Sequence, residues 1–123
     1  MDLLSEEEIT AALAGLPEWT RAGNSITRTV ELKDFQAAML FSGAVAYMAE
    51  KANHHPDILI QWNKVTLTLS THSAGGLTAA DMALAGHLDA LHGGPPAEWV
   101  DRVSVTLFHW IRMSGWWLAF SAM

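Results

Sequence analysis

Apolar positions change rhythm several times along this chain, and each change marks an element. Ile9, Ala12, Leu13 and Leu16 fall at helical spacing behind Ser5-Glu6-Glu7-Glu8. There Ser5 and Glu8 stand in capping-box register, with Leu4 and Ile9 in staple positions. Gly15 and Pro17 predict that this helix ends near residue 15. Residues 18–21 and 25–30 read as a hairpin about Ala22-Gly23-Asn24, because Trp19, Ile26, Thr27, Thr29 and Val30 suit strands. From Asp34 a long helix runs to about Ala52. Phe35, Ala38, Met39, Val45, Met48, Ala49 and Ala52 are its expected apolar face. Gly43 inside it costs about 1 kcal/mol relative to Ala unless something packs closely there.

Asn53-His54-His55-Pro56 stops that helix, since Pro56 disfavours helix in the residue before it. Residues 57–61 and 64–71 are the next two strands, joined at Trp62-Asn63. In the second, Val65, Leu67 and Leu69 alternate with Thr66, Thr68 and Ser70, so one face is apolar and one polar. After the loop His72-Ser73-Ala74-Gly75-Gly76, Thr78 and Asp81 open a third helix in capping-box spacing. Leu77 and Met82 are its staple, and Leu84, Ala85, Leu88 and Leu91 its buried stripe. The order αββαββα predicts an α+β fold: a four-stranded antiparallel sheet with the helices packed on one face.

Composition divides the 123 residues unevenly. The first 98 carry 12 acidic and 5 basic side chains; the last 25 carry only Asp101, Arg102 and Arg112, yet hold four of the six Trp. Gly93-Gly94-Pro95-Pro96 punctuates the change. The expected division is therefore a domain over 1–91 and a Trp-rich extension over 92–123. A net charge of −6 with scattered Lys and Arg argues against a nucleic-acid face. The absence of cysteine excludes a disulfide framework, a thiolate metal site and a cysteine nucleophile. The acidic N-terminus lacks the pattern of a signal peptide, and no run is long and charge-free enough for a membrane span, so a cytoplasmic protein is expected.

Candidate chemistry gathers on three histidines. His54 and His55 close the long helix, and His72 ends the last strand. If strands 57–61 and 64–71 are neighbours, the start of one and the end of the other share a sheet edge, and the imidazoles converge. Imidazole both gives and takes protons near neutrality. The spacing alone also permits solvated helix-end histidines, where a cation suits a helix C-terminus, or a three-His metal site. Asp81 reads as a helix cap that could also orient His72. His87, His92 and His109 are assigned no role. Gly75-Gly76 lacks the companions of a phosphate loop, and no Ser-His-Asp order stands out.

Glu50-Lys51-Ala52-Asn53-His54-His55-Pro56, Trp62-Asn63-Lys64-Val65, Leu69-Ser70-Thr71-His72 and Gly75-Gly76-Leu77-Thr78-Ala79-Ala80-Asp81 together resemble the pterin-4a-carbinolamine dehydratase family. Trp19 after Gly-Leu-Pro and the pair Asp34-Phe35 fit the same pattern, which covers about residues 3–91. The resemblance implies an enzyme that removes water from 4a-hydroxytetrahydropterin to give quinonoid dihydropterin, recycling the cofactor of aromatic amino acid hydroxylases. It implies no metal and no bound cofactor. His54, His55 and His72 would be the catalytic imidazoles, with His54 and His72 the essential pair. Asp81 would hold His72 and belong to the substrate-binding residues. Glu50, Asn53 and Pro56 would line the substrate pocket, and backbone groups near Ser70 and Thr71 would read the pterin edge.

The resemblance also implies a homodimer or homotetramer, with sheet edges pairing and helices stacking. Some family members serve instead as dimerisation coactivators of transcription factors. Three departures matter. Ile58 stands where an aromatic is common, Trp62 where Tyr is common, and Asn53 where an acid is common. Ile58 and Trp62 are expected near the site. Residues 92–123 have no place in the pattern and are expected to be a non-catalytic appendage.

Overall fold

The computed structural model describes residues 2–91. The expected extension over 92–123 lies outside the described residues. In chain order the elements are α1 (Glu6–Ala14), β1 (Thr20–Ala22), β2 (Ser25–Glu31), α2 (Phe35–Ala52), β3 (Asp57–Gln61), β4 (Lys64–Leu69), a 3-10 turn (His72–Ala74) and α3 (Ala79–Asp89). The four strands form one antiparallel sheet in the order β1-β2-β4-β3. This is the αββαββα arrangement read from the apolar pattern.

Alternation along the strands separates the two faces of the sheet. Ile26 and Val30 of β2 and Val65, Leu67 and Leu69 of β4 are buried, as is Arg28 between them in the β2 row. The opposite face carries Thr27 against Thr68 and Thr29 against Thr66. The helices cover only the first face. Phe41, Ala44, Val45 and Ala49 of α2 join Leu84, Ala85 and Leu88 of α3 in one core with the strands. Each large apolar side chain withdrawn from water there contributes about 1.5–3 kcal/mol.

Two local expectations change. The buried stripe of α2 is Ala38, Phe41, Ser42, Ala44, Val45 and Ala49, while Phe35 and Met39 are about half exposed and Ala52 is exposed. The helix is apolar on its outer side too, at Leu40 and Tyr47, so periodicity alone did not decide which side faces the sheet. Gly43 lies on that outer side, where a Cβ would meet nothing within 4 Å, so no close approach explains it. At the first hairpin the strand is Thr20–Ala22, and Trp19 precedes it. Trp19 is instead a core residue whose indole Nε1–H donates to Asp89 Oδ1 at 2.8 Å. The same oxygen pairs with Arg28, which ties the end of α3 to the sheet.

Local chemistry sets the ends that matter for the site. Asp34 caps α2 by accepting from the Ala37 N–H at 2.8 Å. Asn53 ends α2 in the left-handed region, at φ 50 and ψ 41, a conformation that Asn tolerates better than most residues. The following His54 N–H then reaches back to Ala49 O at 3.1 Å. Pro56 prevents any return to helix, and β3 begins at Asp57. β4 ends at Leu69, two residues earlier than the pattern suggests. Ser70 leaves the ladder and Thr71 bridges Gly76 across the turn.

Candidate active site

The pairing of β3 with β4 places the start of β3 and the end of β4 at one edge, with Asp57 opposite Thr68. His54 and His55 enter that edge from α2, and His72 leaves it in the 3-10 turn. The histidines are thus delivered to one end of the sheet, as the strand order required. Their surroundings there are different.

His54 is held. Its Nε2 lies 2.6 Å from Asp81 Oδ1, and its side chain is 15% exposed. Asp81 is fully buried at the first turn of α3. Its other oxygen, Oδ2, accepts from the Thr71 hydroxyl at 2.8 Å and from the Thr78 N–H at 2.9 Å. Thr78 Oγ1 stands 2.8 Å from Thr71 Oγ1. Since the Thr71 proton is committed to Asp81, the Thr78 hydroxyl is the donor in that pair. An ionised carboxylate offers only acceptors, and with Oδ2 filled by two donors Oδ1 is the atom left to the imidazole. Facing an ionised Asp81, a neutral His54 donates from Nε2–H and keeps its lone pair on Nδ1. A carboxylate behind one ring nitrogen orients the ring and fixes its tautomer.

Asp81 was expected to hold His72 and to touch substrate. In the structure its carboxylate is enclosed by His54, Thr71 and Thr78 and bonds no atom of His72. The reason is tertiary. The cap position of α3 faces the chain leaving α2, whereas His72 lies beyond Thr71 on the outer side of the turn. Thr71 is buried as well, and its side chain belongs to this network rather than to an open surface.

His55 turns elsewhere. Its Nε2 lies 2.7 Å from Glu50 Oε1, with both side chains largely exposed. An exposed pair of this kind contributes little to stability. His72 is exposed, and its imidazole makes no hydrogen bond among the described residues. It lines a cleft of about 360 Å³ with Asn24, Ser25, Asp57, Thr68, Ser70 and Gly75. Ser70 Oγ donates to Asn24 O at 2.7 Å, which fastens the β1–β2 turn against the cleft. Among the expected site residues, Ser70 and His72 line this cleft; His54, His55, Glu50, Asn53, Pro56, Thr71 and Asp81 do not. Asn53 serves as the left-handed cap that aims the two histidines.

Ile58 and Trp62 also move out of the expected neighbourhood. Ile58 pairs with Leu67 and alternates to the opposite face from Asp57. Trp62, at φ 51 and 68% exposed, sits in the β3–β4 turn at the far end of the hairpin. It lies five residue steps from Asp57, roughly 16 Å at about 3.3 Å per residue.

Sequence reasoning missed Asn24, Ser25, Asp57 and Thr68. Thr68 was legible as a polar-face residue, but its row mates come from other strands, and only the register names them. Among the described residues, no group of three or more His, Cys, Asp or Glu side chains is placed to hold a metal ion. No helix among them is long and apolar enough to cross a membrane.

The family model described as pterin 4 alpha carbinolamine dehydratase matches residues 2–91. A Nocardia farcinica protein named as a pterin-4-alpha-carbinolamine dehydratase is 56% identical over 90 residues, which are 73% of this chain and 95% of that protein. A Roseiflexus castenholzii protein of the same name is 52% identical over 89 residues, 72% of this chain and 96% of its own. A solved Brucella melitensis structure, described as a transcriptional coactivator/pterin dehydratase, superposes with a TM-score of 0.70 at 38% identity. It covers 74% of this chain and 99% of its own.

Proposed function

This chain belongs to the pterin 4 alpha carbinolamine dehydratase family, and on that premise we propose that His54 and His72 act as an acid–base pair in the dehydration of a 4a-hydroxytetrahydropterin. The C4a–O bond breaks as the leaving hydroxyl takes a proton and departs as water. The N5–H proton goes to a base, and the C4a–N5 double bond of the quinonoid dihydropterin forms. One proton is given and one taken, so two imidazoles of opposite protonation complete the step without another reactant.

The observation that carries this reading is the Asp81 carboxylate behind His54 Nε2, at the same end of the sheet as the cleft that His72 lines. His54, with its Nδ1 lone pair, is the base. His72, exposed at the cleft and without a fixed partner among the described residues, is the acid. His55, paired with Glu50, assists in placing the ring. The reaction would serve recycling of the pterin cofactor of an aromatic amino acid hydroxylase. The test is the rate of dehydration of a synthetic carbinolamine by the wild type, by His54→Ala, by His72→Ala and by the double variant. Loss of most of the rate in each single variant supports the pair; undiminished turnover in the double variant overturns it.

A second reading, as a docking module for a partner protein, draws on the coactivator description of the Brucella melitensis protein. It also draws on the half-exposed Phe35, Met39, Leu40 and Tyr47 on the outside of α2. It requires a stable partner complex that survives replacement of all three histidines.

A further inference from the structure

Asp57 is the first residue of β3 and the carboxylate among the described residues that line the cleft beside His72. Its side chain makes no hydrogen bond or ion pair among the described residues. A charge on an edge strand often serves only to discourage pairing with another chain. Asp57 faces differently. Its register partner is Thr68, and alternation puts both on the sheet face away from the helices, where the cleft lies. The neighbouring wall is already committed: Ser70 bonds the β1–β2 turn and Thr68 Oγ1 stands 3.4 Å from Thr27 Oγ1. The cleft thus presents three polar side chains that make no hydrogen bond among the described residues: the Asp57 carboxylate, the His72 imidazole and the Asn24 amide, of which the carboxylate alone offers two acceptors and no donor.

We propose that Asp57 is the residue that recognises the 2-amino-4-oxo edge of the pterin ring. That edge carries two adjacent donors, the 2-amino group and N3–H. A carboxylate accepts from such a pair through both oxygens, as it does from a guanidinium. The pyrazine side of the ring, with N5 and C4a, is then turned away from Asp57 and toward the histidines. This inference rests on the dehydratase reading and adds to it the group that selects 2-aminopteridines over 2-oxopteridines. Replacing the 2-amino group by oxygen sets an acceptor against the carboxylate. Discrimination by a site built for a particular hydrogen-bonding edge is large, because the mismatched group is left unpaired.

The experiment measures KM and kcat for the pterin carbinolamine, and binding of a stable pterin and of lumazine, its 2-oxo counterpart. The proteins are the wild type and Asp57→Asn, with the unfolding midpoint as a check on the fold. Asp57→Asn is expected to weaken pterin binding and raise KM by roughly ten- to a hundredfold while kcat stays within about threefold, as for one charge-assisted contact. The wild type's preference for pterin over lumazine should collapse in the same variant. Normal turnover with an unchanged KM and an unchanged preference overturns the role of Asp57 and leaves the dehydratase reading standing. A wild type that neither binds pterin nor turns over the carbinolamine overturns both.

Discussion

His54 Nε2 lies 2.6 Å from Asp81 Oδ1, so one buried carboxylate serves as the cap of α3 and as the anchor of an imidazole that leaves α2. The two roles cannot be separated, because Oδ2 is already taken by the Thr71 hydroxyl and the Thr78 N–H.

Replacing Asp81 by Asn should therefore disturb chemistry more than architecture. The amide can still accept at one atom, but its NH₂ must face a donor on one side or the other. The Nε2–H tautomer of His54 loses its reason to persist. Turnover should fall by about ten- to a hundredfold. Imidazole ¹⁵N shifts should show His54 in a single Nε2–H tautomer in the wild type and in a mixture in the variant. An unmixed tautomer in Asp81→Asn would contradict the orientation role.

The two proposed catalytic histidines should differ in what their loss does to folding. His54→Ala strips Asp81 of a partner inside the protein and should cost roughly 1–3 kcal/mol. His72 is exposed and unbonded among the described residues, so His72→Ala should change stability by no more than about 0.5 kcal/mol. Both should lose about 10²- to 10⁴-fold in rate. Urea unfolding beside the dehydration assay reads both effects.

Asp89 should prove a structural residue of the helix–sheet junction. It accepts from the Trp19 indole and pairs with the largely buried Arg28. Truncation in Asp89→Ala leaves both donors short of this acceptor, and a cost of about 3 kcal/mol is expected. The carbinolamine assay should be unaffected at temperatures where the variant stays folded.

Acid should loosen α1 before the rest. The Ser5 backbone N–H and hydroxyl hold the Glu8 carboxyl below its ordinary value of 4.5. Arg21 does the same for Glu6, through a hydrogen bond and its charge. A lowered carboxyl contributes stability that is present above its unfolded value and is lost as pH falls through the folded one. Amide protection in α1 should thus decline below about pH 4.5, and Glu8→Gln should flatten that decline. Equal acid sensitivity in the variant would remove Glu8 from the account.

The elements, their order and the sheet's two faces are legible in the chain alone. Val65-Thr66-Leu67-Thr68-Leu69 can bury only one set of alternate residues, and Asn53 before His54-His55-Pro56 can only end a helix. It also brought the three histidines to one end, because adjacent antiparallel strands share an edge. Two sides of α2 are apolar, so which one meets the sheet was open until packing chose Phe41 over Phe35. The partner of Asp81 was open for a similar reason. His72 is nearer in sequence, but hydrogen bonds are decided in space, and the first turn of α3 faces the end of α2. The cleft with Asp57, Thr68 and Asn24 was hidden altogether. Its walls come from separate strands and a turn, and only their register places them around one imidazole.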